Sequence, residues 1–93
     1  MADIHDRLTE RDRGAKAKQL LENPLWVEAW EKIQSGLIDS WQNSRPDDSA
    51  RREHIYLQLD AVRAVKRNFE QIVLTGDMAE IAIEQERSNE RRS

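Results

Sequence analysis

The sequence contains no cysteine, three glycines, two prolines and, beside three tryptophans, one phenylalanine and one tyrosine. Without thiols it can form no disulfide, thiolate zinc site or cysteine nucleophile. So little Gly and Pro argues against turn-dense sandwiches and barrels. With 35% charged and 38% hydrophobic residues, the balance is that of helical bundles and coiled coils. Neither sign of charge dominates: 15 Lys and Arg stand against 18 Asp and Glu, a net charge of -3. A bulk attraction to DNA, RNA or anionic lipid is therefore not indicated. No apolar run approaches a membrane span, and the opening "MADIHDRLTERDRG" has no apolar core of signal-peptide length, so the expectation is a soluble cytoplasmic protein with no membrane partner. A chain of 93 residues makes one domain at most, and chains this short often borrow stability from a partner.

What is present is organised by helix signals. Residues 1–14 are mostly charged or small and read as a flexible, solvated arm. A single helical domain is expected over 15–88, followed by a polar tail over 89–93. "AKAKQLLE" holds good helix formers but is too short to be stable alone. Asn23 as N-cap with Pro24 at the first helical position is a strong start signal. From there, at about 100° per residue, Trp26, Trp30, Ile33, Leu37 and Trp41 project within an arc of roughly 80°. All three indoles thus share one face. Gly36 weakens this helix and suggests a close approach by another backbone.

"QNSRPDDS" has the composition of a turn, with Asp47 or Asp48 available to cap the next helix. That helix is expected over about 49–74, with Ile55, Leu59, Val62, Val65, Phe69, Ile72 and Val73 on one broad face. Thr75 and Gly76 read as its stop, because Gly is favoured just past a helix end. Asp77 and Glu80 then read as a capping box for a short third helix carrying Met78, Ile81, Ala82 and Gln85. The expected fold is all-α: an antiparallel helical hairpin with short N- and C-terminal helical extensions.

Such a hairpin leaves part of its Trp-rich face wet, so the first functional expectation is an interface, either with copies of the chain or with a larger assembly. The interface and core set is Trp26, Trp30, Ile33, Leu37, Trp41, Ile55, Leu59, Val62 and Phe69. Catalysis finds no support. His5 lies in the arm, and His54 has Glu53 beside it, but neighbours in sequence do not share a helix face. No catalytic residue, metal or cofactor is expected. A second expectation, from a different class, is nucleic-acid contact through Arg51, Arg52, Arg63, Lys66 and Arg67, with an aromatic ring for stacking. Asp60 and Glu70 are interspersed among these bases, which favours a solvated face with internal ion pairs.

The combination "LLENPLWVEAWEKI", "WQNSRPDDSARRE" and "IVLTGDMA" resembles small helical proteins encoded among the head and packaging genes of tailed bacteriophages and prophages. The resemblance covers about residues 17–82 and rests on caps and packing positions. It implies a non-enzymatic part in head assembly or DNA packaging, in the bacterial host cytoplasm or incorporated in the virion. The hairpin is also similar in outline to the oligomerisation core of phage small terminase subunits, which form rings that present DNA to the packaging motor. This chain departs from them in lacking a recognisable N-terminal helix-turn-helix, and no functional residue is carried across. The resemblance thus implies partners of two kinds: copies of the chain or phage assembly proteins, and, in the alternative reading, DNA.

Overall fold

A computed structural model describes residues 3–92 of the chain. Among the described residues the fold is all-α, with helices α1 (Ile4–Glu22), α2 (Pro24–Gln42) and α3 (Ser49–Arg92) and no strand. These residues form two compact units. One joins the segment up to Leu21 with Asn68 onward, and the other spans Glu22–Arg67.

In the first unit, α1 begins at a cap that the opening sequence carries in plain view. The Asp3 carboxylate accepts a hydrogen bond from the Asp6 N–H at 2.9 Å, satisfying one of the orphan donors of the first turn. The helix then runs antiparallel to the C-terminal part of α3. Arg7 pairs with Glu86 at 3.1 Å and Arg11 with Glu80 at 3.7 Å, so partner numbers fall as α1 advances. Further along, Gly14 meets Gly76: a Cβ built on either would lie 2.8 Å from the other's Cα. Ala17 and Ala79, each three residues on from a glycine, are buried beside this crossing, and Ile83, at 1% exposure, is the most deeply buried large side chain. The two backbones come this close because no Cβ stands between them. Dispersion among many atoms then replaces the interlocking of long side chains.

The helices of this unit depart from several expectations. Residues 4–14, expected as a flexible arm, are helical, with Gly14 and Ala17 giving α1 a narrow buried stripe. The expected stop at Thr75 and Gly76 is absent: α3 continues through both for 44 residues. Gly76 has no positive φ, so its missing Cβ serves helix approach rather than a left-handed cap. Asp77 and Glu80 therefore sit inside a helix and cap nothing, and the short third helix is part of α3. The polar tail is helical to Arg92. Met1, Ala2 and Ser93, which belong to the expected arm and tail, lie outside the described residues. The expected short extensions are thus replaced by a 19-residue α1 and the C-terminal stretch of α3.

In the second unit, α2 starts where its signals place it. Asn23 is the N-cap in extended conformation, its side chain accepting from the Leu25 N–H at 2.9 Å, with Pro24 first in the helix. At the other end the Asn43 N–H donates to the Asp39 carbonyl at 2.9 Å and the Ser44 N–H to the Trp41 carbonyl at 3.2 Å. The turn closes on Ser44, which is buried: its hydroxyl donates to the Trp41 carbonyl and accepts from Arg52 Nε at 2.9 Å. Of the two candidate caps for α3, Asp48 takes the role, accepting from the Arg51 N–H at 3.2 Å.

Candidate assembly surface

Within the second unit, two tryptophans of α2 meet basic residues of α3. Lys66 Nζ stands 3.9 Å from the centre of the Trp30 ring system, and the Arg52 guanidinium 4.1 Å from that of Trp41. Arg63 Nε donates to Gln34 Oε1 at 3.2 Å, and Arg67 pairs with Asp60 at 3.8 Å. Two members of the basic set, Arg52 and Lys66, thus stand on two members of the apolar set, Trp41 and Trp30. A cation over an indole contributes about 0.5–2 kcal/mol, depending on how far it is desolvated. Arg51, the remaining member of the basic set, has an exposed side chain.

The apolar set is unevenly covered. Ile55 is buried, while Trp26, Trp30, Leu37, Leu59, Val62 and Phe69 are half-buried. Ile33 and Trp41 are exposed. The Trp30 indole N–H is buried and reaches no acceptor among the described residues, a condition that costs about 1–3 kcal/mol. Most telling is α2 as a whole. It is the most apolar of the three helices, yet no residue in it is fully buried. Leu25 is 76% exposed and Ile33 51%. Gly36, expected to mark a close backbone approach, has nothing within 4 Å of its would-be Cβ.

Sequence reasoning missed the Gly14–Gly76 crossing, although a signal was present. "GAKA" and "GDMA" each place Gly and Ala three residues apart, and opposite charges, Arg11 and Glu80, lie one turn from the glycines on each helix. Also missed was the exposed apolar row Leu74, Met78 and Ile81, two of whose members had been assigned to a separate short helix.

No group of three or more His, Cys, Asp or Glu side chains among the described residues is placed to hold a metal. No helix among them is long and apolar enough to cross a membrane. His54 is exposed. A scan against protein-family models finds no match, and searches of curated proteins and of solved structures find none either.

Proposed function

We propose that this chain is a non-enzymatic structural subunit that acts by associating with copies of itself. The observation that carries the reading is α2, the most apolar helix, in which no residue is fully buried. A second copy is the natural occupant, because a symmetric pair buries the same patch twice with one set of residues.

On this reading the apolar surface spread over Leu25, Ile33 and Trp41 is the contact, and the half-buried indoles behind it brace α2 against α3. A part in phage head assembly or DNA packaging is supported by the resemblance of the quoted segments, as is the hairpin outline with its terminase-like kinship. The competing role, direct DNA binding, is disfavoured because Arg52 and Lys66 lie on indole rings and Arg63 and Arg67 have partners in the chain. The test is molar mass by light scattering for the intact chain and for a Leu25→Gln, Ile33→Gln double variant. The intact chain is expected above one chain mass and the variant at a lower mass than the intact chain, with helicity unchanged. Equal masses for the two would remove α2 from the interface.

A further inference from the structure

On the C-terminal part of α3, Leu74, Met78 and Ile81 are 52%, 63% and 58% exposed. They lie on the side of the helix roughly opposite Gly76, Ala79 and Ile83, the residues that meet α1 or are buried beside it, since each residue advances about 100°. This stretch is therefore apolar on two sides and partnered on one. The exposed row also has a specific rhythm. Gln71, Leu74, Met78, Ile81 and Gln85 step by three, four, three and four residues, the alternation that keeps one seam facing a second helix along its length. No charged residue interrupts those five positions.

The row is also close to symmetric. Met78 is at its centre, a branched aliphatic side chain stands on each side, and a glutamine lies seven residues away in each direction. An arrangement that looks alike from both ends is what a two-fold, antiparallel contact between identical helices requires, because each half must complement the other. We propose that this row is such a contact: a second copy of the chain lays the same stretch of α3 antiparallel against it, with the two-fold axis passing near Met78. In that geometry Leu74 of each chain faces the region of Ile81 of the other, and the glutamines close the ends, where their amides bond to one another or to water.

The inference rests on the reading that the chain associates with copies of itself and adds where a two-fold contact lies. The absence of cysteine makes the test direct. In the full-length chain a single Met78→Cys substitution places one thiol at the proposed axis, and a single Glu84→Cys substitution places one about 120° round the same helix. Under mild oxidation with a copper–phenanthroline complex, the Met78→Cys chain should form a disulfide-linked pair about tenfold or more faster than the Glu84→Cys chain, because association holds its thiols within bonding distance. A Leu74→Gln, Ile81→Gln background should abolish that advantage while leaving helicity intact, since both side chains project away from α1. Equal crosslinking rates, with a native mass above one chain, would overturn the α3 contact and leave self-association standing. A native mass of one chain at all concentrations would overturn both.

Discussion

Three glycines lie within helices here, and the fold assigns opposite consequences to adding a methyl group at each. At Gly14 or Gly76 the new Cβ would lie 2.8 Å from the facing Cα, against a normal carbon–carbon contact of about 3.5–4.0 Å. The helices must then part by roughly 0.7–1.2 Å, which loosens the contacts of the neighbouring Ala17, Ala79 and Ile83. Overpacking of this kind costs about 1–3 kcal/mol, and replacing Gly by Ala inside a helix returns about 0.5–1 kcal/mol. The net expectation for Gly14→Ala or Gly76→Ala is destabilisation by about 0.5–2 kcal/mol. At Gly36 the Cβ would meet nothing within 4 Å, so only the helix term remains and Gly36→Ala should stabilise by about 0.5–1 kcal/mol. The assay is urea unfolding followed by circular dichroism at one fixed protein concentration, because association adds to apparent stability by mass action. In thermal melts each kcal/mol corresponds to about 4–8 °C for a domain of this size. If all three substitutions stabilise alike, the close crossing of α1 and α3 does not exist.

Removing either well-defined cap, by Asn23→Ala or Asp48→Ala, should cost about 1 kcal/mol each in the same unfolding assay, whereas Asp47→Ala should be close to neutral because Asp48 holds the first turn of α3. Trp30→Phe should cost less than Trp30→Leu, since Phe keeps an aromatic face under Lys66 while removing the buried N–H that has no acceptor among the described residues; double-mutant cycles with Lys66→Met should give a coupling of about 0.5–1 kcal/mol for Trp30 and less for Leu. Fluorescence anisotropy with labelled duplex DNA should show no salt-sensitive binding; a sub-micromolar complex lost in an Arg51→Gln, Arg63→Gln, Arg67→Gln triple variant would favour the nucleic-acid reading instead, since phosphate contacts lose affinity steeply as salt rises.

The sequence conveyed parts of this structure unevenly, for physical reasons. All-helical character and the start of α2 were legible because they depend on local chemistry: few Gly and Pro, and an Asn–Pro pair whose cap geometry is set within three residues. The continuity of α3 was not, because Thr75–Gly76 has the local appearance of a stop. Only the distant Gly14, which supplies a backbone for Gly76 to meet, decides otherwise. α1 was hidden for the same reason. Its buried positions are Gly14 and Ala17, residues too small to register as a hydrophobic stripe. The basic residues of α3 were read as a surface because each lies among polar neighbours in sequence, while the indoles under Arg52 and Lys66 belong to another helix.

The central claim is that the chain completes its apolar burial with copies of itself, and sedimentation equilibrium of the intact protein over a hundredfold concentration range tests it most directly. The account predicts a weight-average mass above 10.9 kDa that rises with concentration. Spectra taken alongside should show tryptophan emission moving to shorter wavelength as association covers the exposed indole of Trp41. A mass fixed at one chain throughout, with emission unchanged, would contradict it.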